Sequence, residues 1–251
     1  MEISLNNGFK MPMMGLGVAG MRKDEIKDII TNAIQIGYRH FDCAADYKNE
    51  AEVGEALAEA LESGLVKREE LFITSKLWNS DHGHVVEACK DSLKKLQLQY
   101  LDLYLVHFPI PTKHTVKPAV NQIETHPYFQ RESLVRFCQK HEICVTAHTP
   151  LGGAAVNPQV FGSIYNVIQD PLLEKVANKY GRSPAQIALR WGIQRNTVVI
   201  PKSSKLKRLE ENFQVFDFEL KQEDMDLIKN IDKKYRTNLI STVAWGIDIY
   251  A

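Results

Sequence analysis

The sequence predicts an α/β fold in which a parallel sheet closes into a barrel. The chain has 251 residues, which suits one substantial core and lies in the usual range of a single α/β barrel. Apolar residues recur alternately at strand spacing and helix spacing, which is typical of a parallel sheet. The GxGxxG motif of dinucleotide-binding open sheets is missing after the first predicted strand, because Gly15-Leu16-Gly17 precedes that strand and lacks a third glycine. We therefore expect a barrel in one domain, residues 1–251.

The elements follow in chain order from turn residues and apolar periodicity. Asn7-Gly8 suits a tight turn, so its flanking residues are expected to form an N-terminal hairpin. Apolar residues at helical spacing predict helices at 26–34, 53–61, 85–96, 131–140, 172–180, 183–195, 206–212 and 222–231. Short apolar runs predict strands at 38–42, 71–75, 101–107, 119–123, 143–147, 197–200 and 215–218.

These predicted strands number seven, whereas a closed (β/α) barrel has eight. The irregularity lies between His107 and Ala119, where the chain reads Phe-Pro-Ile-Pro-Thr-Lys-His-Thr-Val-Lys-Pro and shows no helical period. Two parallel strands need a crossover of about a dozen residues or more, usually a helix. We therefore expect the barrel to be incomplete between about 108 and 118.

Charge and hydropathy restrict the partners of the chain. Lys+Arg and Asp+Glu both number 31, so the net charge favours neither nucleic acid nor an anionic membrane. No apolar run approaches the ~18 residues of a membrane span, and the N-terminus has no targeting pattern, so a cytoplasmic protein is expected. Its oligomeric state stays open between a monomer and a homodimer. The cysteines, Cys43, Cys89, Cys138 and Cys144, form no CxxC pair; buried, reduced thiols and no metal site are expected.

Four polar residues fall at or near the ends of three successive predicted strands, where a parallel barrel places its chemistry. They are Asp42, Tyr47, Lys76 and His107. A cationic Lys76 is expected to lower the pKa of Tyr47, while Asp42 holds Lys76 charged. His107 would orient a carbonyl group. Each residue taken alone is compatible with an ordinary polar role, but together they predict that an oxygen is protonated while hydride arrives at the adjacent carbon.

A basic cluster marks a second candidate site. It comprises Lys202, Ser203, Ser204, Lys205, Lys207 and Arg208, where a predicted strand passes into a helix. A helix N-terminus offers free N–H groups and partial positive charge to a phosphate, and Arg208 can bond two oxygens at once. The cluster suits the 2′-phosphate of NADPH. The alternative is a solvated, charged helix face.

Nearly the whole chain resembles the aldo-keto reductases. The matching stretches are Gly-Tyr-Arg-His-Phe-Asp at 37–42 with Tyr47, Phe-Ile-Thr-Ser-Lys at 72–76, Leu-Tyr-Leu-Val-His-Phe-Pro at 103–109, Pro-Ala-Val-Asn-Gln-Ile-Glu at 118–124, and Ile-Pro-Lys-Ser at 200–203. Within the family, the sequence is most similar to the plant NADP-dependent aldose 6-phosphate reductases, a group that includes mannose 6-phosphate reductase and sorbitol 6-phosphate dehydrogenase. The resemblance implies a (β/α)8 TIM barrel, here lacking one strand and its flanking helices.

The resemblance also implies a function and its residues. The activity is NADPH-dependent reduction of an aldose 6-phosphate to the alditol phosphate, with Tyr47 as the general acid of a tetrad completed by Asp42, Lys76 and His107. Implied cofactor contacts are Gln122 and His148 at the nicotinamide, Lys202, Ser203 and Arg208 at the phosphate, and Glu211 and Asn212 at the adenine end. Candidate contacts for the sugar phosphate are Lys48, His107 and Lys113.

Two departures from the family keep alternatives open. Val18-Ala19-Gly20 stands where many relatives have a tryptophan wall of the substrate pocket, and a Ser-Asn pair that grips the nicotinamide carboxamide is absent together with the missing strand. The second hypothesis is therefore a truncated, catalytically impaired chain that acts as a cofactor-binding or regulatory module. A third is a nicotinamide-sensing subunit of a membrane complex, although the sequence shows no partner surface of the kind it needs.

Overall fold

The computed structural model describes residues 1–108, 118–153 and 166–237, which belong to two compact units. The first unit contains Met1–Ser4, Gly8–Pro118 and Lys202–Phe213, and the second contains Leu5–Asn7, Ala119–Pro201 and Gln214–Ala251. Across the three described ranges, no helix combines the length and the apolar character that a bilayer crossing demands.

Strands in the described residues form three sheets. They are β1 (Glu2–Ser4), β2 (Lys10–Pro12), β3 (Leu16–Gly17), β4 (His40–Asp42), β5 (Phe72–Leu77), β6 (Leu103–Val106), β7 (Val120–Glu124), β8 (Cys144–His148) and β9 (Thr197–Val199). The first two pair antiparallel, which confirms the predicted hairpin, and Gly8 has a φ of 85°. In the first unit β3 to β6 form a parallel sheet in chain order, and in the second unit β7 to β9 do the same.

All eight predicted helices are confirmed, with small shifts at their ends. They are α1 (Lys23–Ile36), α2 (Glu50–Glu62), α3 (Val85–Leu96), α4 (Glu132–Lys140), α5 (Pro171–Tyr180), α6 (Pro184–Gln194), α7 (Leu206–Phe213) and α8 (Gln222–Lys229). The first ends as its sequence predicts, because Gly37 adopts a φ of 118° and its N–H bonds the carbonyls of Ala33 and Ile34.

One strand was not predicted. Leu16–Gly17 is β3, whose two residues pair with Phe41 and Asp42 of β4. Two residues cannot display the alternation or the apolar run from which a strand is inferred, and the flanking glycines indicate a turn instead. The described residues therefore contain seven parallel strands, the predicted number, but β3 is one of them and the strand predicted at 215–218 is not.

The predicted strand at 215–218 is wrong, since those residues form a turn and irregular backbone. Two side chains of α6 bond carbonyl groups at the start of this stretch, those of Val215 and of Gln214 just before it. Gln186 donates to the Gln214 carbonyl at 3.0 Å, and Arg190 donates to the Val215 carbonyl at 3.2 Å. The backbone acceptors that a strand would offer to a neighbour are thus used by a helix.

In the first unit, α7 packs beside the turn between α1 and β4. The Tyr38 hydroxyl donates to the Leu209 carbonyl at 3.1 Å, and the Tyr38 and Phe213 rings lie 5.0 Å apart. These contacts explain why Lys202–Phe213 belongs with the N-terminal half of the chain rather than with its sequence neighbours.

The second unit packs α5, α6 and α8 around one apolar cluster. Its buried members are Tyr128, Val167, Leu173, Val176, Ala177, Ile187, Trp191, Leu220 and Ile228. Beside it, the buried carboxylate of Glu124 ends β7 and lies 3.0 Å from His126 Nε2. The same carboxylate accepts hydrogen bonds of 2.7 Å from both the N–H and the hydroxyl of Thr237.

The cysteines are free thiols. Cys43, Cys138 and Cys144 are buried, as predicted, whereas Cys89 is partly exposed.

Candidate active site

The carboxyl ends of β4, β5 and β6 bring three of the predicted tetrad residues to one edge of the first sheet. Asp42 ends β4, Lys76 lies near the end of β5, and His107 follows β6. Because the three strands are parallel neighbours, these ends meet at the same edge. Tyr47 arrives there through the 3₁₀ turn Ala45–Tyr47 that follows β4.

The ammonium group of Lys76 lies at the centre of this cluster. It donates to Asp42 Oδ2 at 2.6 Å, to the Cys43 carbonyl at 2.8 Å and to the Tyr47 hydroxyl at 3.0 Å. An ammonium has three N–H donors, so each of them has an acceptor. The side chains of Lys76 and Asp42 are only 2% and 3% exposed, which makes this a buried ion pair. The Cys43 carbonyl is a partner that residue patterns do not reveal.

The buried cation is held in its charged form. Burial disfavours the Lys76 ammonium, but the attraction of Asp42 and Tyr47 outweighs that penalty, and the pKa of Lys76 lies above its ordinary value. Lys76 therefore carries its proton throughout the neutral range.

The expected pKa shift of Tyr47 is wrong in its net direction. Tyr47 is partly exposed as a residue, yet burial around its hydroxyl is the largest influence on its pKa and raises it above the ordinary 10.0. The charge of Lys76 acts in the predicted direction and offsets only part of that rise. Tyr47 consequently keeps its proton at neutral pH.

His107 joins the cluster through ring contacts. The Tyr47 and His107 rings meet edge to face at a centroid distance of 5.6 Å, and Trp78 meets His107 in the same way at 5.4 Å. Phe108 stacks on His107 at 4.8 Å. Trp78 was not singled out in the sequence, although an aromatic residue two positions after Lys76 is a signal that could have identified it.

Lys48 follows Tyr47 directly and lies at the surface. Its φ of 56° ends the 3₁₀ turn, its side chain is 73% exposed, and its ammonium is 3.8 Å from the Asp46 carboxylate. It is therefore a solvated charge beside the tetrad. Lys113, the other lysine predicted to contact a sugar phosphate, lies outside the described residues.

The basic cluster at 202–208 lies in the first unit, as the tetrad does. Ser203 is buried, and its hydroxyl accepts from the Lys205 N–H at 3.2 Å just before α7 begins. In α7, Arg208 is exposed, Glu211 is partly buried and Asn212 is buried. Among the residues that the structure describes, no carboxylate pairs with the side chains of Lys202, Lys205, Lys207 or Arg208. Cations of this kind suit a phosphate group, and the role of the cluster at the 2′-phosphate of NADP(H) stays a prediction.

The two predicted nicotinamide contacts lie in the second unit. Gln122 is in the middle of β7, opposite Thr146 of β8. His148 is the last residue of β8, and its Nδ1 lies 3.0 Å from the Thr149 hydroxyl. Both are partly buried, but only His148 lies at the carboxyl end of its strand, and the role of both residues at a nicotinamide stays a prediction.

Comparison with known proteins identifies the class to which this fold and site belong. The model of the aldo/keto reductase family matches residues 12–115 and 112–233. The chain therefore belongs to the aldo/keto reductase family, and its fold is of that family's (β/α)8 TIM-barrel type.

Individual relatives resemble the chain over almost its whole length. It is 54% identical to the NADP-dependent D-sorbitol-6-phosphate dehydrogenase of Malus domestica, with 99% of each chain covered. It is 36% identical to the NAD(P)H-dependent D-xylose reductase I,II of Candida tropicalis, with 94% of each covered. Among solved structures, the Bombyx mori aldo-keto reductase AKR2E4 in complex with NADP is similar at a TM-score of 0.90 and 36% identity, with 98% of this chain and 97% of that chain covered.

Proposed function

We propose that this chain reduces the aldehyde of an aldose 6-phosphate to the alditol phosphate, with Tyr47 as the general acid. By its family the chain is an oxidoreductase, and its cofactor is NADP. The observation that carries the proposal is the arrangement around Lys76, which binds Asp42, the Cys43 carbonyl and Tyr47 with its three donors.

Tyr47 is suited to donate a proton to a carbonyl oxygen. Lys76 Nζ is the donor in its contact with the Tyr47 oxygen, so the phenolic proton remains available to another acceptor. NADPH, when bound, supplies the hydride to the carbonyl carbon. As the proton leaves, negative charge develops on the Tyr47 oxygen, and the ammonium 3.0 Å away stabilises it. Burial alone would oppose that charge, so Lys76 makes the transfer possible.

Asp42 and His107 support the same step. The Asp42 carboxylate keeps Lys76 charged and holds it at 2.6 Å. His107, packed between Tyr47 and Trp78 by edge contacts, would direct the substrate oxygen toward the Tyr47 hydroxyl.

The remaining proposed contacts follow the family pattern. Lys202, Ser203 and Arg208 would bind the 2′-phosphate of NADPH, and Glu211 and Asn212 the adenine end. Gln122 and His148 would contact the nicotinamide. Lys48, with its solvated charge next to Tyr47, and Lys113 would meet the phosphate of the sugar.

Turnover with phosphorylated and unphosphorylated sugars tests this function. We expect purified protein to oxidise NADPH with glucose 6-phosphate or mannose 6-phosphate, and far more slowly with glucose or mannose. Lys48→Gln should raise KM for the phosphorylated sugars only. The matched control is Lys175→Gln, another exposed lysine, located on α5. Equal rates with and without the sugar phosphate group would reject the substrate class.

We also propose that the chain is one barrel domain that lacks an internal segment between about 108 and 118. The two matches of the family model meet at residues 112–115. The alignment with the Malus domestica relative extends over 309 positions, whereas this chain has 251 residues, so at least 58 positions lack a counterpart here. Finally, β6 is the last strand of the first sheet and β7 the first strand of the second, and they flank this interval.

These observations support a second candidate function, a cofactor-binding module with impaired turnover. The edge strand β6 is incompletely covered, since Val106 is 45% exposed. The two candidate functions can be separated by comparing the parent chain with a variant that carries the corresponding segment of the Malus domestica relative at this interval. NADPH binding without turnover, with turnover gained on insertion, would establish the module. Comparable turnover in both chains would eliminate it.

A further inference from the structure

A buried carboxylate lies behind the tetrad. Glu50, the first residue of α2, is 3% exposed. One of its oxygens accepts from the Ser75 hydroxyl at 2.6 Å, and the other accepts from the Ser92 hydroxyl at 3.2 Å. Glu50 thus joins α2 to β5 and to α3.

The close approach of α2 and α3 makes this contact possible. Gly54 lies one turn after Glu50, and a Cβ at that position would overlap the Lys95 carbonyl. Glycine therefore allows the backbones of the two helices to meet, which brings Ser92 within reach of Glu50.

Glu50 connects the two backbone segments that carry the proton donor and its cation. It follows Tyr47 by three residues, and its partner Ser75 immediately precedes Lys76. Successive side chains of a strand point to opposite faces, so Ser75 reaches Glu50 on the helix side while Lys76 reaches Tyr47 on the other. Asn49, between Tyr47 and Glu50, makes a second contact that holds this segment, because its side chain donates to the Val18 carbonyl at 3.0 Å.

Packing alone does not require a carboxylate here. A carboxylate removed from water loses hydration, and well-packed apolar groups often serve stability equally well at such positions. The carboxylate provides a directional contact instead, because its hydrogen bond of 2.6 Å with Ser75 fixes the start of α2 relative to β5.

We propose that Glu50 is a positioning residue that sets the separation between the Tyr47 oxygen and the Lys76 nitrogen. It acts through Ser75 and touches neither substrate nor cofactor. When the Glu50 to Ser75 bond is lost, residues 47–49 lose their hydrogen-bonded link to β5 through Glu50 and keep the one from Asn49 to Val18, so the 3.0 Å contact between Lys76 and Tyr47 lengthens. The catalytic consequence rests on the proposed role of Tyr47 as the acid.

The two serines provide a matched comparison. Both are buried and both donate to Glu50, but only Ser75 adjoins a tetrad residue. Ser75→Ala should lower kcat by about tenfold or more, because proton transfer depends steeply on geometry, and should leave the KM for NADPH unchanged. Ser92→Ala should change kcat by less than about twofold. Glu50→Gln keeps an acceptor for Ser75 and a donor toward Ser92, so it should retain most of the activity that Glu50→Ala loses.

A titration of Tyr47 tests the positioning without turnover. Tyrosinate absorbance is followed against pH in each background, over the range where far-UV circular dichroism stays native, and the matching Tyr47→Phe protein is subtracted. Ser75→Ala should raise the pKa of Tyr47 relative to the parent chain, since Lys76 is displaced, and Ser92→Ala should not. Equal effects of the two serine variants, or an unmoved titration in Ser75→Ala, would overturn the proposal. A parent chain without turnover would count against the proposed function, while the titration would still decide the role of Glu50.

Discussion

Replacing Lys76 by methionine removes one charge of a buried ion pair and leaves the other. The Asp42 carboxylate, 3% exposed, loses the ammonium that lies 2.6 Å away. Removing one partner of a buried pair costs about 3–5 kcal/mol, against a total stability of about 5–15 kcal/mol. With a urea m-value of about 3 kcal/mol/M, the unfolding midpoint of Lys76→Met should fall by about 1–2 M.

A double variant separates this loss of stability from the loss of catalysis. Asp42→Asn combined with Lys76→Met removes both charges, so no uncompensated charge stays buried. We expect the double variant to recover much of the stability that Lys76→Met loses, which a double-mutant cycle would register as coupling between the two sites. Its turnover should remain lost, because the ammonium that stabilises the Tyr47 phenolate is still absent.

Two assays decide the outcome. Urea unfolding followed by tryptophan fluorescence gives the midpoints, and single-turnover NADPH oxidation gives the chemical step. If Lys76→Met is as stable as the parent chain, the ion pair contributes nothing to the fold. If the double variant turns over like the parent, Lys76 has no part in proton transfer.

Three further changes test separate parts of the site. Tyr47→Phe should remove turnover while NADPH affinity, measured by fluorescence titration, changes little, because the hydroxyl serves the transition state; an unchanged kcat would reject the acid assignment. Arg208→Ala should cost on the order of 1.5–3 kcal/mol of NADPH binding, about ten- to a hundredfold in affinity, and far less for NADH, so equal losses would place the phosphate site elsewhere. Burial opposes ionisation of Glu124, but His126, His148 and Thr237 together outweigh it and lower its pKa to about 2 from 4.5. Because its pKa is lowered in the folded state, ionised Glu124 stabilises the fold fully above pH 4.5, and this stabilisation is lost as the pH falls toward 2. Glu124→Gln should therefore remove about 3 kcal/mol from the part of the unfolding free energy that depends on acid pH. Identical acid unfolding curves of the variant and the parent chain would contradict this.

The positions of the tetrad residues could be predicted because they follow from topology. Parallel strands end at one edge of a sheet, so Asp42, Lys76 and His107 had to meet once β4, β5 and β6 were assigned as neighbours. Helix ends could be predicted from the sequence in the same way, since a glycine such as Gly37 readily adopts the left-handed conformation that terminates α1.

Burial, by contrast, is a property of the packed chain and is not visible in the sequence. It reverses the expected net pKa shift of Tyr47, because the desolvation of the hydroxyl exceeds the effect of Lys76. The burial of Glu50 was likewise not predictable, because in the sequence it is one of several glutamates among the polar and apolar residues of α2. Its partners, Ser75 and Ser92, are distant in sequence, and only the packed helices bring them to it.

The proposed internal deletion bears differently on the contacts proposed in each unit. Tyr47, the proposed proton donor, lies in the first unit with Lys76 and the basic cluster, whereas Gln122 and His148, the proposed nicotinamide contacts, belong to the second. In the sequence, the proposed deletion follows β6, the last strand of the first sheet, and precedes Ala119, where the main segment of the second unit begins. All three donors of Lys76 are bonded within residues 42–76, so the contacts of Lys76 with Asp42 and Tyr47 do not involve that interval. A shortened chain would therefore keep its acid and its phosphate contacts, and its impairment would lie in how the nicotinamide is held for hydride transfer.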